Sequence, residues 1–169
     1  MSFRTETEHI GLRDTDPADL DLICAMENEQ ENVRFIIPYN RERHQEVIDS
    51  REEEHVSVWN KETRELTGFL ILAGIGNSNL SLEFRRMVIQ NKGRGYGRQC
   101  LQLIKEYCFN AIHFHRLWLD VFEDNDRAIR LYQSEGFQTE ARLREVIKQG
   151  NGYRSLIVLS LLESEFRQR

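Results

Sequence analysis

Two prolines, Pro17 and Pro38, are all that 169 residues contain, and no Gly/Ser-rich stretch interrupts the chain, so nothing marks a linker and a single domain over 1–169 is expected. Three cysteines, Cys24, Cys100 and Cys108, make an odd number with no CxxC spacing, which suits neither a disulfide framework nor a zinc site and reads as inert core thiols. No apolar run approaches the ~18 residues of a spanning helix, and Met1-Ser2-Phe3-Arg4 does not begin like a signal peptide. The expected location is therefore the cytoplasm, with no membrane partner. Positive charge is in the minority: 23 Lys and Arg against 28 Asp and Glu leave a formal −5, which argues against nucleic acid. What remains, 40% hydrophobic and 30% charged residues, is the composition of a folded globular domain.

The acids are unevenly spread. Glu27, Glu29, Glu31, Glu46, Glu52, Glu53 and Glu54 crowd the first third, either as a solvated helix face or as a rim that attracts amines. A strand is expected around His9 to Arg13. Asp14-Thr15-Asp16-Pro17 then sets a capping acid before a first-turn proline and opens a helix through Leu20, Ile23, Cys24 and Met26. A second helix is expected from about Arg41 into Glu52-Glu53-Glu54. The period then changes: Val56, Val58 and Trp59 begin a strand, Leu66 to Ala73 is its hairpin partner, and Leu80 to Ile89 follows. Apolar residues from Cys100 to Ala111 recur at three and four residues, the mark of an amphipathic helix. Leu117 to Phe122 reads as a strand, Asn125 to Ser134 as a helix, and Phe137 onward and Tyr153 to Leu162 as a closing hairpin. This order predicts an α/β domain: a mixed, mostly antiparallel sheet of about seven strands, a central βαβ crossover and about four helices.

The most informative stretch is Arg86 to Arg98, where a strand passes through Gly93, Gly95 and Gly97 into a helix. Glycines admit positive φ and a close backbone approach, and a helix start offers unpaired N–H groups, so a diphosphate is the natural ligand. No Lys-Ser or Lys-Thr follows the glycines, which disfavours a P-loop, and the spacing is not GxGxxG. Lys92-Gly93-Arg94-Gly95-Tyr96-Gly97 instead resembles the [QR]-x-x-G-x-[GA] loop of the GNAT superfamily of N-acetyltransferases, with Lys92 standing where Gln or Arg is usual. Asn125-Asp126-Arg127-Ala128-Ile129-Arg130-Leu131-Tyr132-Gln133-Ser134-Glu135-Gly136-Phe137 resembles that family's N-x-x-A-x-x-x-Y-x-x-x-G-F signature. The turn Gly150-Asn151-Gly152-Tyr153-Arg154 is similar to the branch containing spermidine and ribosomal-protein N-terminal acetyltransferases.

The resemblance implies the GNAT fold, acetyl-CoA as co-substrate with no metal, and direct transfer to a primary amine. The acceptor would be a small amine or polyamine, or a peptide amine at a protein N-terminus. Gly93, Arg94, Gly95, Tyr96, Gly97 and Arg98 would hold the diphosphate through backbone N–H groups, with Lys92, Arg94 and Arg98 adding positive charge. Backbone groups of Met87, Val88 and Ile89 would orient the acetyl carbonyl, and Asn125 would sit beside the pantetheine arm. Tyr132 would protonate the leaving thiolate, and Glu83 would take the proton from the amine. Read as bare residues, Tyr132 is equally an aromatic packed on the sheet, Asn125 a helix N-cap and Glu83 an exposed strand acid. His113 and His115 have no third ligand in the pattern. The alternative from another class is a non-catalytic acyl-CoA-binding regulatory module. Oligomeric state is not legible, a homodimer being left open.

Overall fold

The β-branched and aromatic runs of the chain assemble into one eight-stranded sheet, ordered β1-β2-β3-β4-β5-β6-β8-β7, in a computed structural model that describes residues 4–168. The strands are β1 Arg4–Glu6, β2 Ile10–Asp14, β3 Glu53–Asn60, β4 Leu66–Ala73, β5 Ser81–Ile89, β6 Arg116–Phe122, β7 Gln138–Gln149 and β8 Gly152–Leu162. The helices are α1 Leu20–Glu27, α2 Gln30–Val33, α3 Arg41–Asp49, α4 Tyr96–Glu106, α5 Asp126–Ser134 and α6 Glu163–Arg167. The sheet has one strand more than expected because β1, three residues on the edge, is too short to show a period. The four longer helices, α1, α3, α4 and α5, are the expected ones; α2 and α6 are additions of four and five residues.

Local signals explain most of the boundaries. Asp16 accepts a hydrogen bond from the Ala18 N–H at 2.9 Å with Pro17 in the first turn, and a 3-10 turn over Pro17–Asp19 leads into α1. The helix expected to reach Glu54 stops at Asp49 instead. There the Ser50 hydroxyl accepts from the N–H groups of Glu52 and Glu53 at 3.0 and 3.1 Å, and β3 begins at Glu53. Glutamate favours helix weakly, and pairing of β3 between β2 and β4 overrides that preference.

Two packed layers cover the sheet. On one face, Ile10, Leu12, Val58, Leu70, Leu72, Leu117 and Leu119 meet Cys100, Leu101 and Ile104 of α4 and Tyr132 of α5. On the other, Phe69, Ile71 and Val88 meet Leu20, Ile23 and Met26 of α1 and Val47 of α3. All eight residues of β4 are buried, which accounts for its apolar run from Gly68 to Ala73.

The pairing that decides function lies at the centre. Neighbouring strands are antiparallel except β5 and β6, which α4 connects as a crossover. Their parallel pairing lasts for only Ser81↔Arg116, Leu82↔Leu117 and Glu83↔Trp118. Just beyond, the β4–β5 register steps from Leu72↔Phe84 to Ile71↔Arg86, so Arg85 is an extra residue in β5. Such a bulge bends its strand, and here β5 stays with β4 while β6 stays with β8.

Candidate active site

Where β5 and β6 part, the sheet opens into a cleft of about 910 Å³. Asn91 to Arg98, Asn125 and Tyr132 line it from the α4/α5 face, and Glu31, Asn32 and Arg34 to Ile37 from the α1–α3 face. The cleft is thus lined from both sides of the sheet.

The glycine loop forms one wall. Asn91, Gly93 and Gly95 have φ of 53°, 89° and 77°, and Gly95 is the N-cap of α4. No side chain caps that helix, so the first-turn N–H groups of Tyr96, Gly97 and Arg98 have no intrahelical acceptor. A Cβ at Gly93 or Gly95 would meet nothing within 4 Å, so the space beside the loop is open. Tyr96 secures the loop, its ring buried and its hydroxyl accepting from Asn60 Nδ2 at 3.1 Å. The side-chain charges are differently employed. Lys92 Nζ donates to Asn32 Oδ1 at 2.7 Å and Glu31 at 3.2 Å, and Arg98 pairs with Glu135, which Lys105 also holds at 2.7 Å. Arg94 makes no ion pair among the described residues.

The second wall is the end of β5. The Gln90 N–H donates to Thr67 O at 2.8 Å, so by strand alternation the backbone of Val88 also faces β4, and that of Met87 and Ile89 faces the cleft. Val88 packs its side chain against α1 and α3. Opposite, Asn125 Oδ1 accepts from the Ala128 N–H at 3.3 Å and caps α5. Tyr132 rests on Phe137 with ring centroids 5.9 Å apart, and its hydroxyl makes no hydrogen bond among the described residues. Burial pushes its pKa well up, so the phenol stays protonated.

On the α1–α3 face the acids are sorted by partner. Both oxygens of Glu83 are occupied by Arg85, at 3.1 Å from Nε and 2.5 Å from Nη2, and Arg85 also binds Glu53. Asp120 of β6 lines the cleft and has no hydrogen-bond or ion-pair partner among the described residues. It is exposed there, yet the protein packed around it and the neighbouring Glu83 raise its pKa, against a smaller opposing pull from Arg85. Arg86 lies 3.8 Å over the Tyr39 ring, donates to Ile37 O at 3.0 Å and pairs with the fully buried Glu27. Behind it runs a buried chain. Glu27 accepts from the Tyr39 N–H at 3.0 Å and meets His44 at 2.8 Å; His44 meets His55 at 2.9 Å, His55 meets Thr15 at 2.8 Å, and Thr15 meets Ser57 at 2.8 Å. Burial raises the Glu27 pKa, but its His44 and Arg86 contacts outweigh this and hold it below the carboxylate range.

Residues 9–138 match the Acetyltransferase (GNAT) domain family. The chain belongs to that family. A spermidine N(1)-acetyltransferase of Vibrio cholerae is 26% identical over 107 residues, 63% of this chain and 62% of that protein. A spermidine N(1)-acetyltransferase of Escherichia coli K12 is 24% identical, and this chain spans 55% of its length. An uncharacterised N-acetyltransferase, p20 of Bacillus licheniformis, is 26% identical over 95% of this chain and 96% of its own. A crystal structure of the Vibrio cholerae spermidine N-acetyltransferase with CoA and spermine superposes with a TM-score of 0.84 over 95% of this chain and 99% of that one, at 24% identity.

Within this GNAT domain, the expected loop, strand end, Asn125 and Tyr132 all line one cleft, whereas Glu83 is engaged by an arginine beside it. Asp120 escaped the sequence reading. Its signal was faint: one acid in the apolar strand Leu117-Trp118-Leu119-Asp120-Val121-Phe122, on the face away from Leu117 and Leu119. The acidic first third does not form a rim of free carboxylates. Glu27 is buried; Glu29 meets Gln90, Glu31 Lys92, Glu46 and Glu53 Arg43, Glu52 the Gly76 N–H and Glu54 Tyr107.

Proposed function

We propose that this protein is an acetyl-CoA-dependent N-acetyltransferase that passes the acetyl group directly to a primary amine. The observation that carries the reading is a cleft lined from both faces of the sheet with unlike chemistry on each. An uncapped helix start and a buried, protonated tyrosine line one side, and carboxylates line the other. The residues suit the co-substrate: two glycines at positive φ with empty space beside them admit a diphosphate to the α4 N–H groups, and Arg94 is free to add charge. Bound there, acetyl-CoA supplies an activated thioester.

The chain's own groups have four tasks in this reading. Met87 and Ile89 backbone groups meet the acetyl carbonyl, where an N–H stabilises the developing oxyanion. Asn125, its Oδ1 engaged in the cap, turns its amide N–H groups toward the pantetheine arm. Tyr132 gives a proton to the departing sulfur, whose pKa resembles the ~8.5 of a cysteine. A carboxylate on the α1–α3 face removes the proton that makes an ammonium, of pKa ~10.4, unreactive at neutral pH. The names of the spermidine acetyltransferases favour a polyamine as acceptor, with a protein N-terminus as the other member of the class. Self-assembly belongs to the same proposal, because one Vibrio cholerae relative is described as dodecameric; light scattering of the purified chain tests it.

Release of free CoA thiol from acetyl-CoA, measured against spermidine, monoamines and peptides with free N-termini, tests the function. Turnover with an amine supports it. Tight acetyl-CoA binding with no thiol release from any amine would leave the regulatory acyl-CoA-binding module as the correct reading.

A further inference from the structure

We infer that Asp120, and not Glu83, is the general base that takes the proton from the acceptor ammonium, an assignment that rests on the acetyltransferase reading above. Three observations converge on it. The first is position: Trp118 is the last β6 residue paired with β5, and Asp120 lies one step further on the same face, at the edge of the opening. Leu117, Leu119 and Val121 point into the layer that holds Tyr132, so Asp120 stands on the opposite side of the sheet from the proposed acid. Direct attack needs this separation, because the nitrogen approaches the carbonyl from one side and the sulfur leaves on another.

The second is availability. A base needs a lone pair directed at its proton, and both oxygens of Glu83 are engaged by Arg85, which Glu53 and, through it, Arg43 hold in place. Asp120 has no such partner among the described residues, and its exposure to the cleft lets it pass the proton on to water. The third is charge. Glu83 and Arg85 from β5 face Asp120; Arg86, neutralised by Glu27, lies further along that strand, and Arg154, paired with Asp124 at 2.6 Å, flanks the β8 side. Together with the surrounding protein they leave the Asp120 carboxyl more basic than an ordinary aspartate, which narrows its gap to the ammonium.

The step balances as follows. Asp120 accepts one proton from the ammonium, and the freed nitrogen lone pair forms the C–N bond as the carbonyl π pair moves to oxygen. When that pair returns, the C–S bond breaks with its electrons on sulfur, which takes the Tyr132 proton. The second nitrogen proton, acidic in the adduct, restores Tyr132. The net result is an amide, a thiol and one proton, held by Asp120 until water removes it.

The test compares Asp120→Asn, Asp120→Glu and Glu83→Gln in the full chain, with turnover measured from about pH 6 to about pH 10 and acetyl-CoA affinity by calorimetry. Asp120→Asn should lose about 100-fold or more in kcat/KM for the amine near neutral pH. Its acetyl-CoA affinity should not change, and the deficit should shrink as the pH approaches the ammonium pKa of ~10.4, where free amine needs no base. Asp120→Glu should restore much of the rate, and Glu83→Gln should show no comparable pH-dependent deficit. Carboxyl NMR of the unliganded protein should show Asp120 titrating above the ordinary ~3.9. A mild Asp120→Asn effect, a loss equal at every pH, or the pH-dependent deficit in Glu83→Gln instead would overturn the assignment. A wild-type protein that binds acetyl-CoA and turns over no amine would overturn the acetyltransferase reading itself, and the base with it.

Discussion

Mild acid should destabilise this protein through one histidine. His55 is 4% exposed, with Thr15 at 2.8 Å on one ring nitrogen and His44 at 2.9 Å on the other. Burial, then the His44 and Arg86 charges, push its pKa down to about 3 from 6.5. The unfolded chain exposes the ring and binds its proton near pH 6.5, while the folded one refuses it. Stability is therefore fully present above about 6.5 and is lost as the pH falls from there toward about 3. The slope is about 1.4 kcal/mol per pH unit, so moving from pH 7 to pH 5 removes about 2 kcal/mol. At ~2–4 °C per kcal/mol for a chain of this length, Tm falls by about 4–8 °C. Glu27 acts in the same direction lower down: its folded pKa lies beneath the ordinary 4.5, and its contribution disappears as the pH falls through that lowered value. Urea unfolding followed by Trp59 and Trp118 fluorescence at the two pH values measures the effect. His55→Gln keeps a donor and an acceptor but has nothing to titrate, so it should be weaker at neutral pH and lose the pH 7 to 5 increment. Equal wild-type stability at both pH values, or an undiminished increment in His55→Gln, would refute the reasoning.

Glu135→Ala should cost about 3 kcal/mol, because Lys105, with a side chain 10% exposed, and Arg98 lose their shared carboxylate; equilibrium denaturation measures this. Tyr132→Phe should lower turnover by about 100-fold while moving stability by less than about 0.5 kcal/mol, since the hydroxyl has no hydrogen-bond partner among the described residues; unchanged turnover would remove Tyr132 from the acid role. Gly95→Ala meets no atom within 4 Å, but a side chain at φ 77° costs about 1–2 kcal/mol. The loop relieves that strain by moving, and acetyl-CoA binding should weaken by about tenfold, as read by calorimetry.

Most of the strand and helix positions were legible because burial imposes a period on local sequence. The apolar run of β4, the Asp16-Pro17 cap and the amphipathic α4 all carry their own evidence within a few residues. The reading failed where a distant partner overrode local preference. Glu52-Glu53-Glu54 reads as helix, yet β3 begins within it because the strand must pair on both sides and Glu53 meets Arg43 and Arg85. The site divided in the same way. Glycines and a capping asparagine have few roles and can be recognised singly, whereas a carboxylate's role depends on which cation reaches it. Glu83 and Asp120 are equivalent in sequence terms; Arg85, set by a bulge in β5, occupies one and leaves the other open.

The sequence by itself determined the order of the longer elements, the glycine loop before α4, and the asparagine and tyrosine of α5, because spacing and backbone conformation are local properties. The tertiary structure alone decided where β5 and β6 part, which face each polar residue takes at that opening, and which acids a cation reaches. Those depend on register and on ion pairs between residues dozens of positions apart, such as Glu27 with Arg86 and Arg98 with Glu135, which no local pattern encodes.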